Sequence, residues 1–267
     1  TPASGGFDCS ASPFEPGSIS WTCAASGSGS LDFLAAYRDG QGGVEGLAGL
    51  GSLALIARGD SAADPTAVRE NFLVGASVDD DAVVFLQRNA MTGALTFHSR
   101  IDNAAGVPLE GARAVVVGGA GKLLFVVSRR SDSLNVFSLS GDATHPLIVT
   151  HRASLKNPAI AGLDQALHLV VLPADSDGDG TPDTDHVYVA GANDHAVAAF
   201  AYNRAAGTLG HLGSLVNGQG GVLGLADVEY LVASPDGAHV YAISGSDASV
   251  TQLAQPHQRI ARLRHAR

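Results

Sequence analysis

The chain of 267 residues has little charge, few cysteines and no long apolar run. Charged residues make up 16% of it, and it contains two cysteines, one methionine and one tryptophan. No apolar stretch approaches the roughly 20 residues that a membrane helix needs, so we expect no membrane span. A formal net charge of −10 argues against nucleic acid as a partner, because phosphates attract basic surfaces.

The two cysteines, Cys9 and Cys23, both lie in an N-terminal segment rich in Ser, Gly, Pro and Ala, residues 1–30. A two-cysteine metal site would need further ligands, and this segment offers only two carboxylates. We therefore predict a Cys9–Cys23 disulfide in a loop-rich segment. A disulfide and a first residue other than Met are typical of exported chains. The sequence thus predicts a secreted, periplasmic or cell-surface protein.

What the chain does contain is a strand motif that recurs four times, each copy preceded by an apolar strand. The copies are DDDAVVF (Asp79–Phe85), DSLNVF (Asp132–Phe137), DHAVAAF (Asp194–Phe200) and DASVTQL (Asp247–Leu253). Their last residues are 52, 63 and 53 positions apart. A period near 50 with about four strands per unit indicates a β-propeller. We predict an all-β propeller of about four recognisable four-stranded blades over residues 31–254.

Several short motifs resemble the repeats of the lactonase-type, seven-bladed propeller family. They are GALTF (Gly93–Phe97), the GGVxGL linkers and SPDGAHVYA (Ser234–Ala242). That family includes secreted and periplasmic propellers, 6-phosphogluconolactonases and carboxymuconate-cyclising enzymes. The resemblance implies blade structure, and its motifs carry no catalytic residue. Four blades are recognisable where the family has seven, so the propeller is small, or residues 1–30 or a second copy complete it.

The most specific pattern is the acidic loop ADSDGDGTPDTD, Ala174–Asp185. It resembles the DxDxDGxxD calcium loops of integrin-type propeller blades and thrombospondin repeats. Alternating carboxylates can converge on one ion, and Gly180 permits the sharp turn between them. The predicted ligands are the carboxylates of Asp175, Asp177, Asp179 and Asp183 and the carbonyl of Thr181. Position twelve holds His186 instead of the Glu of an EF-hand, and the flanking residues are strand-like.

Calcium is the cofactor that this acidic loop predicts, in a structural role. Five Asp residues within eleven positions would repel one another without a cation. Magnesium fits less well, because it demands octahedral geometry and keeps its waters. A solvated acidic turn is the alternative.

Two functions remain open from the sequence. The first is a calcium-stabilised, non-catalytic module that binds a protein partner or further copies of itself. The alternative is a lactonase-like hydrolase or cyclase, which would need His, Glu and Arg clustered near the propeller axis. The chain has only five glutamates, and its histidines lack metal-ligand spacing and are predicted to be strand or turn residues. The sequence favours the binding module and assigns no catalytic residue.

The C-terminal segment, residues 255–267, is the one basic stretch. It contains Arg259, Arg262, Arg264 and Arg267 and no acidic residue. The segment is predicted either to fray or to dock onto an acidic partner surface.

Overall fold

The structure, a computed structural model, describes residues 7–13, 19–25, 33–57, 71–89, 91–103, 106–141, 147–156 and 160–255, the first two ranges as backbone only. It divides into two compact units, Thr1–Ala36 and Tyr37–Arg267. The basic residues predicted to fray or dock, from Arg259 onward, lie outside the described residues. Among the described residues there is no helix of the length and apolarity needed to cross a membrane.

The first unit contains a β-hairpin inside the segment predicted to be loop-rich. Strand β1 (Phe7–Pro13) pairs antiparallel with β2 (Ile19–Ala25), and the register places Cys9 opposite Cys23. Opposed Cα atoms in such a pair are about 4.5–5.5 Å apart, within the range that a disulfide spans. The side chains of this hairpin are outside the described part, so the disulfide stays a prediction.

The second unit consists of four consecutive antiparallel sheets, or blades, whose strands follow one another along the chain. Blade 1 contains β3 (Leu50–Ala57), β4 (Asn71–Ser77), β5 (Ala82–Arg88) and β6 (Leu95–Asp102). Blade 2 contains β7 (Ala112–Gly118), β8 (Leu123–Ser128), β9 (Ser133–Ser140) and β10 (Ile148–Lys156). Blade 3 contains β11 (Ala166–Ala174), β12 (Thr184–Gly191), β13 (Ala196–Asn203) and β14 (Thr208–Val216). Blade 4 contains β15 (Val228–Ala233), β16 (His239–Ser244) and β17 (Ser249–Ala254).

This architecture confirms the predicted all-β propeller fold. Three blades have four strands, and the last has three within the described residues. Within the SPDGAHVYA motif, Pro235-Asp236-Gly237 forms the tight turn between β15 and β16, where Gly237 has a φ of +68°. The recurring motif that begins with Asp supplies the turn before the third strand of each blade, and then that strand itself.

The first strand of each blade, here called the inner strand, packs against the inner strand of the next blade. All four inner strands begin with the same irregularity, one unpaired residue near the start of the pairing with the second strand. These bulge residues are Gly51, Arg113, Leu167 and Glu229. Bulges redirect side chains out of the regular alternation of a sheet. Their recurrence also lets the four blades be compared position by position.

The hydrophobic core lies between successive blades. Strand side chains alternate between the two faces of a sheet, so each blade has one row toward the preceding blade and one toward the next. The fully buried aromatic residues include Phe85, Phe125, Phe137, Phe200 and Tyr202. Burying one such side chain contributes about 1.5–3 kcal/mol, and three clusters of this kind join the four blades.

Polar latches reinforce the three junctions between blades. The turn before the third strand of one blade accepts a hydrogen bond from a backbone N–H at the entrance of the next blade. The donor and acceptor pairs are Gly111 to Asp81 Oδ1 (2.6 Å), Gln165 to Asp132 Oδ1 (3.2 Å) and Asp227 to His195 Nδ1 (2.8 Å). The fourth turn has Ala248 in this position, with the same positive φ. The last blade therefore ends without an acceptor side chain.

Candidate functional site

The acidic loop joins β11 to β12 and is exposed to solvent. Asp175, Asp177 and Asp179 each place a carboxylate oxygen within 4.8 Å of the others. The backbone N–H groups of Gly180 and Gly178 donate to Asp175 at 2.8 and 2.7 Å. These donors, Gly180 first, lower the pKa of Asp175, because they favour the charged carboxylate. This arrangement offers a cation three hard oxygen donors.

Asp183, the predicted ligand at position nine, bonds across the base of this loop. It accepts hydrogen bonds from the Ser176 hydroxyl at 2.5 Å and the Ser176 N–H at 2.8 Å, and the pKa of Asp183 is lowered by these bonds. Thr181 donates its N–H to Asp179 at 2.7 Å. Because each carboxylate oxygen has two lone pairs, these bonds leave acceptor positions on Asp183 for an ion.

Arg204, in the turn between β13 and β14, holds the end of the acidic loop. Its Nε and Nη2 donate to the two oxygens of Asp185 at 2.8 and 2.7 Å, and its Nη1 donates to the Pro182 carbonyl at 2.6 Å. Asp185 is buried and also accepts the Gly119 N–H of blade 2 at 3.3 Å. The acidic loop is therefore tied to the core through a bidentate ion pair, which is a strong geometry.

A second polar group lies on three successive inner strands and is here called the inner-strand row. It comprises Arg113 on β7, His168 on β11, and Glu229 and Tyr230 on β15. Arg113 and Glu229 are equivalent bulge residues, and His168 follows the bulge of its own strand. The bulges therefore place a cation and a carboxylate at one position of the inner-strand repeat, with an imidazole at the next position.

Arg113 is positioned by a close approach to β3. Its Nη1 donates to the Gly51 carbonyl at 3.0 Å. A Cβ atom at position 51 would lie 2.6 Å from the Arg113 carbonyl oxygen and would also clash with the guanidinium. Only glycine leaves this space, so the orientation of Arg113 depends on Gly51.

His168 is held as a neutral imidazole. The Leu231 N–H donates to its Nδ1 at 3.4 Å, so the proton of the neutral ring is on Nε2. Its ring lies against Tyr230 with a centroid distance of 3.7 Å. Burial, and then the charge of Arg113, lower the pKa of His168 to about 4. At neutral pH this site has a hydrogen-bond donor beside a cation.

Sequence reasoning treated His168 as an ordinary strand residue and did not connect it with Arg113 or Glu229. The signal that could have found them is the repeat itself. Aligning the inner strands places Arg113 and Glu229 at one position of the repeat and His168 one residue later. A search for metal-ligand spacing compares residues along a single strand and therefore misses residues that come together from different blades.

Two Ser–His pairs on outer strands are structural. His151 Nε2 lies 2.7 Å from Ser154 Oγ, and Ser154 donates to Asn135 Oδ1 at 2.6 Å. His211 Nε2 lies 3.0 Å from Ser214 Oγ, and Ser214 donates to a backbone carbonyl. Because each hydroxyl proton is already donated away from the imidazole, neither serine is set up as an activated nucleophile.

No protein-family model and no curated protein sequence matches this chain. Solved structures do share its fold. A candidate 6-phosphogluconolactonase from Bacteroides uniformis superposes with a TM-score of 0.54 at 13% identity, over 80% of this chain and 56% of that one. Its counterpart from Bacteroides fragilis gives 0.50 at 13% identity, over 73% of this chain and 57% of that one.

An auxiliary nutrient binding protein from Bacteroides ovatus also superposes, with a TM-score of 0.50 at 10% identity over 68% of this chain and 45% of that one. The chain thus spans about half the length of these structures, between 45% and 57%. At these identities the similarity shows the β-propeller fold alone.

Proposed function

We propose that this chain is a lactonase-like hydrolase whose substrate binds at the inner-strand row. The observation that carries the proposal is the position of Arg113, His168 and Glu229 on three successive inner strands, each at the bulge or one residue after it. From the sequence, a lactonase-like hydrolase was expected to need His, Glu and Arg clustered near the propeller axis. The shared fold with candidate 6-phosphogluconolactonases supports this function over a non-catalytic module.

Each residue of the inner-strand row has a proposed role in opening a lactone. Arg113 binds an anionic group of the substrate. His168 donates its Nε2 proton in a hydrogen bond to the lactone carbonyl oxygen, where negative charge develops. Glu229 accepts a proton from the attacking water. The water oxygen bonds to the carbonyl carbon, the ring C–O bond breaks, and the ring oxygen leaves as an alcohol after taking up a proton.

The test is hydrolysis of glucono-δ-lactone and its 6-phosphate, measured as acid release above the spontaneous rate. We expect Arg113→Met, His168→Asn and Glu229→Gln each to lower kcat/KM by about 10²-fold or more. His211→Asn on an outer strand is the matched control and should retain activity. A wild-type rate equal to the spontaneous rate, with folding verified, would contradict the enzymatic function.

A non-catalytic binding module is the second candidate. The open arc of four blades favours it, because a substrate channel would be enclosed on one side only. The fold is also shared with a nutrient binding protein. This function predicts calorimetric binding of the intact sugar acid or its lactone, lost in Arg113→Met, without turnover.

We propose calcium as the structural ion of the acidic loop. The clustered carboxylates of Asp175, Asp177 and Asp179 support it, since hard oxygen donors suit Ca²⁺. Asp183 and Thr181 complete the proposed ligand set. Titration of the chelated protein with Ca²⁺ followed by calorimetry tests the proposal, with Asp177→Asn as the variant that should lose binding and Asp236→Asn, in another exposed turn, as the control.

Export from the cytoplasm is proposed from the Cys9–Cys23 pair. The facing register of the two strands supports a disulfide. Mass spectrometry of protein isolated without reductant should find it two hydrogens lighter than the reduced form, and free thiols at both positions would contradict the proposal.

A further inference from the structure

The two ends of the four-blade arc expose apolar faces that every internal junction buries. We define the leading face of a blade as the side toward the following blade and the trailing face as the side toward the preceding one. The strand register arranges the leading face of blade 4 in two contiguous rows across three strands. These rows are Tyr230, Ile243 and Val250, then Val232, Tyr241 and Gln252.

The leading face of blade 4 keeps the apolar third-strand position of its counterparts but has no cover among the described residues. The third-strand residues at one equivalent position are Val83, Leu134, Val197 and Val250, and their exposed fractions are 0%, 0%, 3% and 71%. The residue type stays β-branched or aliphatic while the exposure rises. Val250 therefore has the chemistry of a junction residue without a junction.

The trailing face of blade 1 shows the same contrast. The inner-strand residues at one equivalent position are Leu53, Val115, Leu169 and Leu231, with exposed fractions of 55%, 2%, 0% and 1%. Leu55, two residues further along β3, is equally exposed at 55%. The two ends of the arc are thus the two halves of the junction that occurs three times inside it.

The linker before blade 1 already occupies its junction position. Leu109, Leu163 and Leu225 are fully buried in the three internal clusters, in the linkers that precede blades 2, 3 and 4. The equivalent Leu47 packs beside Val84 and Leu86 on the trailing face of blade 1. This face is therefore built to receive a leading face.

We propose that a second copy of this chain covers both faces, the leading face of blade 4 of each copy packing on the trailing face of blade 1 of the other. A head-to-tail contact closes when its rotation permits, and the smallest closed assembly has two copies. Two copies supply eight blades, within the range of four to eight that propellers adopt. The occupant is a second copy because its exposed face carries the same residue pattern as the buried internal ones.

Light scattering across protein concentrations tests this assembly. We expect twice the chain mass of 27.0 kDa. Val250→Lys on the leading face and Leu53→Lys on the trailing face should each give a monomer, because a buried lysine in either face disrupts both junctions of the ring. Met91→Lys, in an exposed turn outside both faces, is the matched control and should remain a dimer.

Mixing the two monomeric variants tests the head-to-tail arrangement. Val250→Lys retains an intact trailing face and Leu53→Lys an intact leading face, so one junction can form between them and we expect a species of two chains. A wild-type monomer at all concentrations overturns the proposal. So does a dimer that only one of the two variants disrupts, or an open polymer of increasing mass.

The missing latch offers a variant that strengthens the assembly. Ala248 stands where Asp81 and Asp132 accept the N–H at the entrance of the next blade, and Gly49 holds the equivalent entrance position of blade 1. Ala248→Asp adds one hydrogen bond at each of the two junctions and should therefore lower the dimer Kd about tenfold to hundredfold. An unchanged or higher Kd contradicts a junction of the internal type.

Discussion

Blades 2 and 3 have the same strand order but hold their loops by opposite chemistry. In blade 2 the Pro108 carbonyl accepts three hydrogen bonds from neutral side chains. The donors are Ser131 Oγ (2.9 Å), Ser133 Oγ (2.7 Å) and Asn135 Nδ2 (2.9 Å). In blade 3 the acidic loop between β11 and β12 is held instead by the ion pair of Arg204 and Asp185.

The comparison teaches that the repeat specifies strand positions and leaves the polar fastening of each blade free to differ. Ser133 and Asn135 are buried without charge, so their hydrogen bonds persist at every pH where the fold does. Asp185 is buried and has Arg204 as its cationic partner, and removing that partner leaves an uncompensated carboxylate in the core. The charged fastening of blade 3 is therefore the more fragile of the two.

The largest expected effect follows from breaking the charged pair. Arg204→Met keeps the aliphatic stem and removes the guanidinium, so Asp185 stays buried without its partner. We expect the free energy of unfolding to fall by about 3–5 kcal/mol, measured by urea denaturation. The double variant Arg204→Met with Asp185→Leu should recover most of this loss. If Arg204→Met lowered the free energy of unfolding by less than Asn135→Ala or Ser133→Ala in blade 2, the charged pair would not be the more fragile of the two.

Calcium removal is expected to act on blade 3 and to leave blade 2 unchanged. If the acidic loop binds calcium, a free concentration 100-fold above Kd should raise Tm by about 5 °C or more relative to chelated protein. Hydrogen exchange should localise the change to residues 166–191 and not to residues 112–140. Asp177→Ala should abolish the response, whereas an identical shift in that variant would place the ion elsewhere.

Blade 2 should tolerate single deletions better than blade 3. Asn135→Ala removes the donor to Pro108 and the acceptor of Ser154, and it should cost about 1–3 kcal/mol. Ser133→Ala leaves two donors on the same carbonyl and should cost about 1 kcal/mol. The free energy of unfolding is measured by urea denaturation. Equal losses for the two variants would contradict the idea that the remaining donors to the Pro108 carbonyl compensate for the loss of Ser133.

Acid should act on the two blades in opposite directions. The pKa of His168 in blade 3 is lowered to about 4, so its contribution to stability is present above about 6.5 and is lost as pH falls from there through 4. Burial raises the pKa of Asp132 in blade 2, so its contribution is full below 3.8 and is lost as pH rises through the raised value. In urea denaturation between pH 6.5 and 4, His168→Asn should flatten the loss, and Asp132→Asn should steepen it slightly.

The recurrence of the strand motif was enough to predict the blades, because each strand and the turn before it are encoded by residues close together in the sequence. The four copies of the motif form the third strands β5, β9, β13 and β17. The acidic loop was also predictable, since Asp175, Asp177 and Asp179 approach one another through a single turn of backbone. Their spacing alone encodes that approach.

The sequence by itself determined the strand repeat, its turns and the clustered carboxylates, all of which depend on residues within a few positions of one another. Only the tertiary structure decided that Arg204 reaches Asp185, that burial and the charge of Arg113 lower the pKa of His168, and that no described residue covers Val250 or Leu53. The first outcome depends on strand pairing within blade 3, and the others depend on which blade lies beside which. Such contacts join residues that no local pattern connects.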